Sequence, residues 1–142
     1  MDKTEKLAVL EATLERAAEQ LGDITPMVMD LFYQRFPEAR ASFKTLGLDE
    51  PEQLEATMVE NALFFIMDWW RDDAMIAITL EHSVPHHKST LAVPPAYYTG
   101  LITATADVIG STIPAGAEGE RTVLDEIHAR LAQVIAESTE YT

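Results

Sequence analysis

The stretch that decides the fold is residues 86–97, which read His86-His87-Lys88-Ser89-Thr90-Leu91-Ala92-Val93-Pro94-Pro95-Ala96-Tyr97. It sets a histidine at the end of one predicted helix, a Val-Pro corner after it, and a tyrosine at the start of the next helix. A neutral imidazole in a cleft between two such helices can bind the metal of a cofactor. The chain contains no cysteine, which excludes a haem thiolate, an iron–sulfur cluster and thiol catalysis.

On both sides of this stretch, apolar residues recur at helical spacing. The pattern predicts helices over 7–21, 23–36, 52–70, 72–82, 95–113 and 123–135, with a short helical turn over 37–43. Pro85 is expected to disturb the end of the 72–82 helix. No run alternates at period two, so the sequence predicts a single all-α domain over residues 1–142 with about seven helices.

Composition narrows the functional classes. The 142 residues are 47% hydrophobic, which is enough for a substantial core. The 24 acidic and 10 basic side chains give a net charge of −14, which repels phosphate backbones and anionic lipid, so we expect neither nucleic-acid nor membrane binding. The N-terminus runs straight into an amphipathic pattern without a signal-like apolar segment, and the expected location is the cytoplasm.

A second motif covers residues 31–43, which read Leu31-Phe32-Tyr33-Gln34-Arg35-Phe36-Pro37-Glu38-Ala39-Arg40-Ala41-Ser42-Phe43. Together with His87, Pro94 and Tyr97 it makes the chain resemble the globins, from about residue 24 to residue 134. The resemblance implies a globin-like three-over-three helical sandwich and a non-covalently bound haem b (iron protoporphyrin IX). A c-type attachment is excluded because the Cys-x-x-Cys-His motif is absent.

The resemblance also implies roles for particular residues. His87 would be the proximal ligand of the iron, while Phe43 would press on the porphyrin face. The remaining implied positions are Val93, Tyr98 and Leu101 on the proximal side of the pocket and Met29 on the distal side.

Other histidines compete with His87 or have different expected roles. His86 is the main alternative, because a slip of one residue would exchange the two. His82 is expected to make a polar contact at the surface. His128 lies among charged residues of the last helix and is expected to face solvent.

The distal side of the implied pocket is ambiguous. The long helix over 52–70 has no histidine, and different family spacings put Glu55, Thr57 or Met58 opposite the iron. Its apolar stripe favours Thr57 near the gas ligand, with Asn61 one turn on. Both of these side chains can donate a hydrogen bond, whereas that of Met29 cannot.

The function implied by the resemblance is reversible binding of dioxygen, nitric oxide or carbon monoxide for storage, transport or sensing. Pro85, two residues before the proposed ligand, leaves open a haem-free globin-like sensor or interaction module. An enzyme is not expected, although nitric oxide dioxygenation or peroxidase side activity remains a weaker alternative. One of Trp69 and Trp70 is expected near the surface, and an exposed Trp70 makes a homodimer conceivable.

Overall fold

The computed structural model describes the backbone of residues 1–46, 50–90 and 94–139, and the side chains of these residues other than 46, 86–90 and 139. This part of the chain contains seven α-helices and no strand, so the all-α prediction is confirmed. The helices are α1 (Lys3–Leu21), α2 (Thr25–Arg35), α3 (Ala39–Leu46), α4 (Pro51–Asp68), α5 (Asp73–Thr90), α6 (Pro95–Gly110) and α7 (Glu118–Thr139). Among the described residues, no helix is long and apolar enough to cross a membrane.

Local sequence signals set several of the helix ends. The side chain of Asp2 accepts a hydrogen bond of 2.8 Å from the backbone N–H of Glu5 and caps α1. Gly22 ends α1 at φ 66°, where a side chain would be strained, and its N–H bonds to the carbonyl of Ala18. Pro51 and Pro95 begin α4 and α6, where the missing N–H costs little.

Pro85 does not end its helix. The sequence predicts a helix over 72–82, whereas α5 continues through Pro85 to Thr90. Proline removes one backbone hydrogen bond, but Leu80 and Val84 just before it are fully buried. Their packing holds the helix across the missing bond. Two other predicted bounds also shift, because α6 stops at Gly110 and α7 begins five residues earlier than predicted.

Helix α6 is the centre of the molecule. It packs against α1, α2, α4, α5 and α7, which explains why its sequence is apolar on nearly every side. Its buried residues are Tyr97, Gly100, Leu101, Ile102, Ala104, Thr105, Ala106, Val108, Ile109 and Gly110. Any site built against α6 is therefore supported by several helices at once.

Five rings form an aromatic cluster between α2, α3 and α6; its members are Phe32, Tyr33, Phe36, Phe43 and Tyr97. The ring centroid of Phe32 lies 5.7 Å from that of Phe43 and 5.8 Å from that of Tyr97. These separations are typical of stabilising ring pairs. The cluster fastens the short helix α3 to the core.

Both tryptophans are buried. Trp69 is 6% exposed and Trp70 is 8% exposed, so the prediction that one of them lies near the surface is wrong. The Lys6 ammonium covers the ring of Trp70 at 4.5 Å from its centroid, and α1 thereby shields a residue of the turn between α4 and α5. A homodimer built on an exposed Trp70 loses its basis.

Candidate functional site

Helices α4, α5 and α6 enclose a cavity of about 90 Å³, here called the central cavity. Its lining residues are Met58, Asn61, Ala62, Phe65, Ser83, Tyr98, Leu101 and Ile102. Five of these are apolar, three are neutral and polar, and none is charged. This volume has room for a few water molecules.

The polar side of the central cavity is a hydrogen-bonded pair. The hydroxyls of Ser83 on α5 and Tyr98 on α6 are bonded to each other, which joins the two helices across the cavity wall. Burial raises the pKa of Tyr98 above its usual value, and the bond to Ser83 opposes that shift. Tyr98 is therefore a neutral hydroxyl at physiological pH, able to donate as well as accept.

Three of the predicted site residues meet at the central cavity. They are Asn61, Tyr98 and Leu101, contributed by α4 and α6, and Met58, one of the three distal alternatives, lines the cavity with them. Asn61 is exposed at the mouth, and Leu101 is 5% exposed and forms part of the apolar wall. Thr57 is not among the lining residues. It is exposed, and its hydroxyl donates to the carbonyl of Gln53 at 3.0 Å.

Phe43 and Met29 lie elsewhere in the structure. Phe43 is 1% exposed within the aromatic cluster and is not a lining residue of the central cavity. Met29 is 3% exposed and lines a separate cleft with Tyr33, Arg40 and Glu55. Of the described site residues, three therefore line the central cavity, whereas Thr57, Phe43 and Met29 lie at three other places.

The cleft beside Met29 contains a strong hydrogen bond. The Tyr33 hydroxyl donates to Oε2 of Glu55 at 2.6 Å, and the guanidinium of Arg40 lies 4.4 Å from the Tyr33 ring centroid. Burial and then the bond to Glu55 raise the pKa of Tyr33 well above its usual value. Glu55, one of the three distal alternatives, is thus engaged with Tyr33.

The proposed iron ligand falls partly outside the description. The backbone at position 87 belongs to α5, but the side chains of His86 and His87 lie outside the described residues, and so does the whole of Val93. Position 87 follows Ser83 by four residues in the same helix. Helical periodicity places positions four residues apart on one face.

The two described histidines differ from each other. His82 is exposed on α5, as the sequence predicts. His128 was predicted to face solvent, but it is half-buried and its Nε2 lies 2.8 Å from the hydroxyl of Thr103. The difference arises because α7 packs on α6, so this face of α7 meets a helix instead of water.

The central cavity fits a porphyrin in chemistry more than in volume. Its apolar wall and neutral polar groups suit a flat apolar ring, and Ser83 in its lining precedes position 87 by four residues in α5. At about 90 Å³ it accommodates a diatomic gas or a few waters, whereas pockets for drug-sized ligands span roughly 300–1,000 Å³. A haem would therefore fit here only if the helices that border the cavity moved apart.

Comparison of the chain with family models, with curated proteins and with solved structures found no match.

Two features of the site could not be predicted from the sequence motifs. Ser83 carried no motif, yet it lines the central cavity and is bonded to Tyr98. Its position one turn before His87 was the available signal. The Tyr33–Glu55 bond joins residues 22 positions apart on different helices. A contact between helices leaves no recognisable spacing in the sequence.

Proposed function

We propose that this protein is a haem-b-binding domain with a globin-like three-over-three arrangement of helices, and that it reversibly binds a diatomic gas. His87 is the proposed iron ligand, and the space between α4 and the pair α5 and α6, where the central cavity lies, is the proposed place of the haem and its gas ligand. The observation that carries the proposal is the register of α5, in which position 87 lies one turn beyond Ser83. The resemblance of the two sequence motifs to globins supports the same conclusion.

The buried stripe of α5 favours His87 over His86. Ile76, Leu80 and Val84 are each at most 1% exposed and follow one another at four-residue steps. Position 87 continues this face at a spacing of three. Position 86 instead follows the exposed His82 by four residues, so helical periodicity is the ground on which we prefer position 87.

The residues of the chain have distinct parts in this proposal. When bound, haem supplies an iron atom whose open position takes dioxygen, nitric oxide or carbon monoxide. Ala62, Phe65 and Leu101 exclude water from the cavity and provide its apolar wall. Asn61 at the mouth can donate a hydrogen bond to a polar bound gas, and the Ser83–Tyr98 pair holds α5 against α6.

A haem titration of the full-length protein tests the proposal. We expect a Soret band that saturates at one haem per chain and shifts with carbon monoxide in the ferrous form. His87→Ala should abolish or grossly alter this band, while His86→Ala, the matched control, should leave it unchanged. Loss of the band in His86→Ala alone would identify His86, and not His87, as the iron ligand. An unaltered band in both variants would exclude both histidines.

A second candidate is a haem-free helical sensor or interaction module. The observation that favours it is the small central cavity, together with the packing of Phe43 into the aromatic cluster instead of against an open pocket. A well-folded helical protein without a saturable Soret band would support this candidate. Tight stoichiometric uptake of haem would exclude it.

A further inference from the structure

Helices α1 and α4 both pack on α6 but leave a cleft of about 570 Å³ between them, here called the α1–α4 cleft. Its apolar surface comes from three helices, through Leu14, Ala17, Val59, Leu63 and Ile109. The turn between α1 and α2 lines it as well. This volume lies within the range of small-molecule sites, which are mostly apolar clefts with a few polar groups at defined places.

The charged side chains that line the α1–α4 cleft are all carboxylates. Glu11 and Glu15 lie along α1, Glu60 lies on α4, and Asp23 lies in the turn. Among the described residues, no lysine, arginine or histidine lines the cleft. Carboxylates that flank an apolar surface concentrate their field in the cleft between them.

These carboxylates differ in what they already bind. Glu11 is paired with Arg71, whose Nη2 lies 3.0 Å from its Oε1. Glu15 and Glu60 form no ion pair with any side chain that the structure describes. Both are exposed, and they sit on the two helices that form opposite walls. A cation in the cleft would therefore meet unpaired carboxylates on both walls.

We propose that the α1–α4 cleft is a binding site for an amphipathic organic cation. The apolar body of the ligand occupies the space over Val59 and Ile109, and its amine or quaternary ammonium group lies between Glu15 and Glu60. The same carboxylates repel an anionic ligand. A small cation without an apolar body has no surface to bury against Val59 and Ile109 and therefore binds more weakly. The α1–α4 cleft shares no lining residue with the central cavity, so this proposal does not depend on haem binding.

Calorimetric titration with dodecyltrimethylammonium below its micellar concentration tests the proposal. We expect one saturable site per chain. Two control compounds should each bind at least about tenfold more weakly. They are dodecyl sulfate, which has the same tail and the opposite charge, and tetramethylammonium, which has no tail. Circular dichroism during the titration establishes that the helices remain folded. Equal binding of the two dodecyl compounds, or uptake without saturation, would overturn the proposal.

Variants distinguish binding in the α1–α4 cleft from attraction of a cation to the acidic protein as a whole. Glu15→Gln combined with Glu60→Gln should weaken dodecyltrimethylammonium binding about tenfold, because two direct charge interactions are lost. Glu81→Gln combined with Glu118→Gln removes the same charge from exposed positions outside the cleft and should have little effect. Ala18→Trp places bulk at an exposed lining position and should block binding without disturbing the core. An equal effect of the two double variants, or normal binding by Ala18→Trp, would refute the assignment.

Discussion

Gly100 and Phe36 are in such close contact that a Cβ atom at position 100 would lie 2.4 Å from Cε2 of the Phe36 ring. The ring cannot move away easily, because its centroid is 5.2 Å from that of Phe32 and 5.5 Å from that of Tyr97. Glycine in mid-helix costs about 1 kcal/mol relative to alanine. Glycine is nevertheless needed at position 100, because Phe36, at the end of α2, lies too close to α6 for a larger residue.

Gly100→Ala should therefore destabilise the protein in spite of its better helix propensity. Overpacking of a core typically costs about 1–3 kcal/mol, and we expect a net loss of about 1–2 kcal/mol in the free energy of unfolding, measured with urea. Gly119→Ala is the control, since a Cβ there meets no described atom within 4 Å. It should be neutral or stabilising by up to about 1 kcal/mol. A Gly100→Ala variant as stable as wild type would mean that the aromatic cluster readjusts freely.

Phe43 and Phe64 offer a matched pair of phenylalanines in different surroundings. Phe43 is 1% exposed in the aromatic cluster, whereas Phe64 is 46% exposed on α4. Phe43→Ala should cost about 3–5 kcal/mol, because it removes a fully buried ring, and Phe64→Ala should cost less than about 1 kcal/mol. Urea unfolding of the apoprotein measures both. Similar losses for the two variants would contradict the packing of α3 against α2 and α6.

An ion pair between α1 and α7 gives the fold a defined acid response. Nη2 of Arg16 donates to Oε2 of Glu120 at 3.0 Å, and the Thr13 hydroxyl donates to the same carboxylate. The bond to Arg16 is the main cause that lowers the pKa of Glu120 below its usual value, and the bond to Thr13 adds to it. Since the folded pKa is depressed, the stabilisation is fully present above the unfolded pKa of about 4.3. It is lost as the pH falls through the lower, folded pKa.

Glu120→Gln should reduce the free energy of unfolding at pH 7 by about 1.5 kcal/mol and flatten its decline below pH 4. Urea titrations between neutral and acid pH measure both effects. Glu11→Gln is the control, because Glu11 and Arg71 are each about half exposed, with side-chain exposures of 55% and 51%, and exposed pairs contribute little. Parallel acid limbs for wild type and Glu120→Gln would mean that another group sets the acid response.

The sequence predicted the helices better than their ends. Apolar periodicity identified all the helices because each one buries a face. The end of α5 was missed because burial of Leu80 and Val84 outweighs the local effect of Pro85. Propensity is a local quantity, and packing between distant segments overrides it.

The candidate site was predicted only in part, because helix rotation is not a local property either. The stripe on α4 could be read in several registers, and the structure brings Asn61 rather than Thr57 to the central cavity. Phe43 carried a burial signal, but nothing in its surroundings along the chain distinguished an aromatic cluster from a pocket wall. The sequence suggested an exposed Trp70 because Lys6, which covers its ring, lies far away along the chain, on α1.

Ala62 provides a test in which one substitution should have opposite effects on the apoprotein and on haem uptake. It is 2% exposed on α4 and lines the central cavity. Ala62→Leu adds three carbon atoms at a place with about 90 Å³ of free volume, so the apoprotein should gain about 1–2 kcal/mol in unfolding free energy.

The same substitution should weaken haem uptake about tenfold or more, because α4 can no longer separate from α5 and α6 without exposing the new side chain. Urea unfolding and the Soret titration measure the two effects on one protein preparation. Ala12→Leu, at an exposed position of α1, should change neither quantity appreciably. A stabilised Ala62→Leu variant with undiminished haem uptake would show that haem binds elsewhere, whereas a destabilised variant would show that the cavity cannot receive a larger side chain.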